Sequence, residues 1–143
     1  KGWAILGLII LICQIKLGGW VATHYAGLAC IDFPYCNGQL LPPLNFSALH
    51  TDLITIHMLH RLGALITLIY LGLFSLALIA QPYMRRPGII LLSLLLLQIT
   101  LGILNIVWLR PVTIALPHHT VAAFLLLTML YIVVRLYRQR KLT

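Results

Sequence analysis

Acid is nearly missing from this sequence. Asp32 and Asp52 are its only carboxylate side chains, and glutamate does not occur. Charged residues of both signs make up 8% of the 143 positions. Soluble domains carry about 25%, so this composition cannot supply a water-facing surface. No acid falls inside any long apolar run, which leaves such a run without a carboxylate ligand or proton acceptor. An initiator methionine is also missing. The first apolar run has neither a short h-region nor a clear cleavage site, so it does not read as a signal peptide. A chain that opens at Lys1 and is apolar by Trp3 reads as a fragment, or as one half of something larger.

What is present is apolar: 62% of the residues are hydrophobic. Four runs are long enough to cross about 30 Å of hydrocarbon. They fall at about 3–25, 53–80, 89–109 and 112–136, and predict an all-α membrane protein, a four-transmembrane-helix bundle filling residues 1–143 as a single domain. Connections are short except for residues 26–52, the one segment with room for structure outside the bilayer. The net charge of +8 comes from ten Lys and Arg. On a soluble protein that balance suggests nucleic acid; here the basic residues sit at the ends of apolar runs and read as topology instead. Lys1, Arg85 and Arg86, and Arg138, Arg140 and Lys141 share one side, while residues 26–52 contain no Lys or Arg. Both termini are therefore expected in the cytoplasm and the long loop outside, in a bacterial inner membrane with the loop periplasmic.

Cys30 and Cys36 lie in that loop, in ACIDFPYC. An oxidising outer compartment would join them as a disulfide; free thiols, or a metal pair lacking further ligands, are the alternatives. Cys13, in the middle of the first run, reads as a small packing residue. A short repeat also shows. Gln14-Ile15-Lys16-Leu17-Gly18 in the first run matches Gln98-Ile99-Thr100-Leu101-Gly102 in the third at four of five positions. Each precedes a histidine-bearing run, so a pseudo-two-fold axis along the membrane normal would face the histidines of helices 2 and 4.

Ionisable residues inside a membrane are expensive and are functional candidates by default. The second run carries His57, His60 and Arg61, whose spacings of three and four put them on one helical face. The fourth carries His118 and His119 after Pro117. His60 lies about eight residues from the outer end of its run and His118 about eight residues beyond Arg110, or about 12 Å each. Two imidazoles at one depth on facing helices suit the two axial positions of a haem iron. Zinc would want four ligands with Cys or carboxylate among them, and copper Met or Cys beside the histidines; Met58 points to a different face. The bland alternative is polar glue between helices. Arg61 reads either as the partner of a haem propionate or as a snorkelling cation. Lys16 raises the same question. Gln14, Gln98 and Asn105 read as interhelical hydrogen-bonding groups, and Gly18 with Gly19 as a site of close helix contact.

The ordered set LGGWVATHYAGLACIDFPYCNGQ, IHMLHRLGA, QITLGILNIVW and ALPHHTVAAFLLLT resembles the haem A synthase (COX15/CtaA) family, across essentially the whole chain. The likeness is to its carboxy-terminal half. In that family two similar four-helix halves pack together; one oxidises the C8 methyl of haem O to give haem A, and the other holds a haem b. The resemblance implies that this chain is the haem b half, with His60 and His118 as axial ligands and a Cys30–Cys36 disulfide. The Ala-x-x-His frame at Ala115 puts His118, rather than His119, on the ligand position. One departure bears on activity. The catalytic half has Glu three residues before its first ligand histidine, and this chain has His57 there.

The leading expectation is thus the cofactor half of a haem A synthase, an oxidoreductase of cytochrome oxidase assembly, not competent alone. Its expected partners are haem O and haem A, membrane lipid, and either the other half or a second copy of the chain, with no nucleic acid. A second reading is a stand-alone bis-histidine b-type cytochrome passing electrons between quinol and a partner. A third is a haem-free scaffold. Roles for His57 and His119 stay open on sequence alone.

Overall fold

A computed structural model describes residues 1–138; Arg140 and Lys141 of the expected basic tail lie outside the described residues. Four α-helices carry the chain: α1 Gly2–Thr23, α2 Leu53–Ile79, α3 Arg85–Val107 and α4 Val112–Arg138. No strand occurs among the described residues, and all four helices are long and apolar enough to cross a membrane. Helices adjacent in the chain pack on one another, and α4 returns to α1, so the bundle closes as a ring.

Local chemistry explains the helix ends. Asp52 caps α2 by accepting from the Ile54 N–H, and its other oxygen accepts from the Thr55 hydroxyl. α3 begins at Arg85, four residues before the expected position 89, because Pro87 sits in its first turn. Backbone N–H groups have no helical partner there, so proline costs little. α4 runs through Pro117 without breaking. Arg135 and Arg138 close its last turn, where cations favour the helix dipole.

The apolar core is concentrated toward the end that holds the chain termini. Leu71, Leu78, Met84, Leu91, Leu95, Met129 and Ile132 pack there with Leu11 and Leu125. Lys1 Nζ lies 5.1 Å from the centre of the Tyr137 ring, which places the start of α1 beside the end of α4. Buried Thr67 and Ser75 satisfy themselves by donating to the carbonyls of Gly63 and Leu71 in their own helix. The opposite half of the bundle is less filled and carries the histidines.

Residues 26–52 fold over that half. Short 3-10 turns form at Ala26–Leu28 and Phe46–Ala48. Cys30 and Cys36 are joined by a disulfide, and Met58 is buried against it. Cys36 and Gln39 exchange backbone hydrogen bonds across Asn37 and Gly38, both at positive φ. An Asn-Gly pair suits such a primed turn because both residues tolerate that conformation. The Asp32 carboxylate accepts from the Asn37 and Gly38 N–H groups at 2.6 and 2.8 Å.

Candidate cofactor site

The less filled half of the bundle encloses a cavity of about 650 Å³, lined by all four helices and by the outer loop. Leu11 and Leu125 floor it at the core; Phe33, Pro34, Leu40 and Leu41 of the loop line it from the other end. His57, His60 and Arg61 of α2 reach it, as do His118 and His119 of α4. The structure thus brings the sequence-predicted residues into one space. Lys16 and Cys13 stay out of it: both are exposed on the outward side of α1. For Cys13 this corrects the expected packing role, since the helix turns it away from the core.

Each central histidine rests in a cradle formed by the preceding helix. Gln14 Nε2 lies 3.0 Å from His60 Nδ1, and it donates to the His60 carbonyl at 3.0 Å. A Cβ built on Gly18, one turn further along, would stand 3.1 Å from His60 Cε1. The other pair repeats this. Gln98 Nε2 lies 3.4 Å from His118 Nε2, and a Cβ on Gly102 would stand 3.2 Å from His118 Cε1. Gln-x-x-x-Gly therefore places an amide and a bare backbone on one helical face, and the imidazole lies against both.

The repeat seen in sequence is a repeat of contacts. Its four matched positions are at least half-buried, and the one mismatch, Lys16 against Thr100, is exposed in both copies. It also extends further than the sequence match. α1 ends on His24 with Tyr25 in the left-handed region, and α3 ends on Trp108 with Leu109 there, both at φ 54°. Sequence reasoning gave Gln14 and Gln98 only packing roles. The spacing of each glutamine to its glycine was visible as a repeat, but not its contact with a histidine.

Arg61 organises the loop. Its Nε lies 3.3 Å from His57 Nε2, Nη1 donates to the Tyr35 carbonyl, and Nη2 donates to the carbonyls of Cys30 and Asp32. The Cys30 N–H points at His57 Nδ1 at 3.4 Å. His57 and Arg61 thus tie α2 to the disulfide loop.

Four buried side-chain atoms have no hydrogen-bond partner among the described residues: Gln14 Oε1, Gln98 Oε1, Asn105 Oδ1 and His118 Nδ1. All four belong to residues that line this cavity. Such an atom costs roughly 1–3 kcal/mol when left unpaired. Among the described residues, no group of three or more His, Cys, Asp or Glu comes together as a metal site.

Known proteins resemble the chain along most of its length. The family model described as cytochrome oxidase assembly protein, COX15-CtaA, matches residues 1–130. The heme A synthase of Shewanella oneidensis is 37% identical over 146 residues, covering 90% of this chain and 44% of that protein. Those of Neorickettsia sennetsu and Erythrobacter litoralis are 34% and 35% identical, covering 87% and 89% of the chain and 41% and 39% of each relative. The chain spans less than half the length of these relatives. With a family match over residues 1–130 and these identities, the chain belongs to the COX15-CtaA family of cytochrome oxidase assembly proteins.

Proposed function

We propose that this bundle is a haem b-binding half of a haem A synthase, a single four-helix domain with His60 and His118 as the two axial ligands. The observation that carries the reading is the cavity itself: two cradled imidazoles, and all four unpartnered buried polar atoms on its lining residues. The donor set fits the group. A porphyrin supplies four equatorial nitrogens, which two histidines alone lack, and the iron takes imidazole on both faces. When bound, haem supplies one-electron chemistry.

The chain's own residues would orient that group. A ligating imidazole that binds through one nitrogen keeps a proton on the other and needs an acceptor for it. With His60 coordinating through Nε2, its Nδ1–H would be accepted by the Gln14 amide turned to present Oε1, the atom now without a partner. Gln98 stands at the other nitrogen of His118, so it would accept from Nε2–H and leave Nδ1, the nitrogen without a partner, to coordinate. Arg61 would hold the disulfide loop as a roof, excluding water from the outer edge. The termini would face the cytoplasm of a bacterial inner membrane and the loop the periplasm.

Ligation predicts a low-spin spectrum for the purified chain loaded with haem. His60→Ala and His118→Ala should each abolish it. His119→Ala should keep it, because neighbouring helical positions point about 100° apart. Equal loss in the His118 and His119 variants would refute the ligand assignment.

A further inference from the structure

Two arginines stand at the loop end of the cavity, in different situations. A guanidinium has five N–H donors. Arg61 spends four of them within the protein, on His57 and on the carbonyls of Cys30, Asp32 and Tyr35. Arg110 lines the same cavity from the turn between α3 and α4. None of its side-chain donors meets an acceptor among the described residues, although its backbone is firmly placed. Its φ is 60°, and its N–H donates to the Asn105 carbonyl at 2.6 Å. The side chain lies across Gly27: a Cβ built there would be 2.6 Å from Nη1 and 3.1 Å from Cδ and Cζ. Glycine at position 27 is what leaves room for it.

The protein has no anion to spare for Arg110. Asp32 is turned to the Asn37 and Gly38 N–H groups, and Asp52 to Ile54 and Thr55 at the start of α2. A half-buried cation beside an apolar cavity is costly unless something neutralises it. Its planar fork matches a carboxylate better than any other common anion except phosphate.

We infer that Arg110 receives a carboxylate carried by the ligand of this cavity, while Arg61 is a positioning residue for the loop. The inference rests on the haem reading, since a haem carries two propionate carboxylates and no phosphate. It makes Arg110 the group that fixes which edge of the ring faces outward.

Titration of the purified chain with ferric haem and with its dimethyl ester, in which both propionates are neutral, tests this through the low-spin band. The chain should prefer the free acid by about ten-fold, the scale of one charge-assisted hydrogen bond. Arg110→Gln should bring the two affinities together while the ester complex stays low-spin. Arg85→Gln, which removes the same charge from the far end, should keep the preference. An Arg110→Gln chain that still prefers the acid ten-fold overturns the assignment. If Arg110→Gln binds neither ring, Gly27→Ala decides, because its Cβ displaces the guanidinium but keeps the charge. A weakened preference there supports the inference, and an unchanged one overturns it. A parent chain that forms no low-spin complex with either ring is a different result, and it removes the haem reading and this inference together.

Discussion

Gly63 faces Gln14 across the α1–α2 seam, and Gly72 faces nothing. A Cβ on Gly63 would collide with Gln14 Oε1 and stand 2.9 Å from a Leu17 methyl, whereas one on Gly72 meets no atom within 4 Å. Gly63→Ala should therefore push Gln14 off His60 and weaken haem retention by about ten-fold or more, the usual cost of losing a ligand's orienting partner. Gly72→Ala should leave retention unchanged and raise helix stability by up to about 1 kcal/mol. Haem titration with thermal unfolding of the two variants checks the pair; equal behaviour would mean that Gln14 does not orient His60. Residue-scale legibility was uneven. The positions of His60 and His118 could be read from spacing and depth. The Gln-x-x-x-Gly cradle was visible as a repeat, but leucine-rich helices generate such matches by chance, and only contacts show what a repeat does. Arg61 could not be read at all in its main role, because backbone carbonyl acceptors leave no mark in a sequence.

At the scale of elements, helices and loop differ in how they are specified. Long apolar runs fixed the four helices to within a few residues, and α3 starts earlier than its run because Arg85, Arg86 and Pro87 form a first turn that is not part of the apolar stretch. The loop depends on side-chain-to-backbone bonds, and its Asn37–Gly38 turn was a legible pair that went unread. Asp32 braces that turn. Its carboxyl lies below the ordinary value of 3.8, chiefly because the Gly38 N–H donates to it, with further help from Asn37 and the Arg61 charge against some desolvation. A depressed carboxyl stabilises fully above its unfolded value and loses that contribution as pH falls through the lower folded value. Hydrogen exchange at Asn37 and Gly38, corrected for intrinsic rates, should thus stay protected from neutral pH down to about 4 and lose protection below it. Asp32→Asn should remove the step. Protection that already falls between pH 7 and 5 would show that another group braces the turn.

At the scale of the whole molecule, the chain carries a candidate cofactor site but no acid within its helices. Methyl oxidation needs groups that remove protons and stabilise charge beside the substrate ring. If His60 and His118 ligate one iron as proposed, both of its axial positions are also filled. The purified chain, supplied with haem O and a reductant, is accordingly expected to form no haem A. Formation of haem A that disappears in His57→Ala would assign the missing proton acceptor to that histidine and reverse this expectation. Fold class was the most legible level, since composition alone excluded a soluble domain. Membrane sidedness was argued from Lys and Arg placement, part of which, Arg140 and Lys141, lies outside the described residues.

The matching cradles have a consequence for how a ring would sit. Gln14, Gly18 and His60 on one side answer Gln98, Gly102 and His118 on the other, so the inner walls are alike under a half-turn about the bundle axis. A cavity with that symmetry accepts an unsymmetrically substituted macrocycle in either of two facings, one the other turned over. Only what lies off the axis can choose between them. The propionate edge, at the loop end, is the same in both facings, so the choice would fall to the vinyl and methyl edge against Leu11, Leu68 and Leu125 at the core end. A difference of 1.4 kcal/mol there gives a ten-to-one mixture, and anything less gives two sets of paramagnetically shifted methyl resonances from one pure protein.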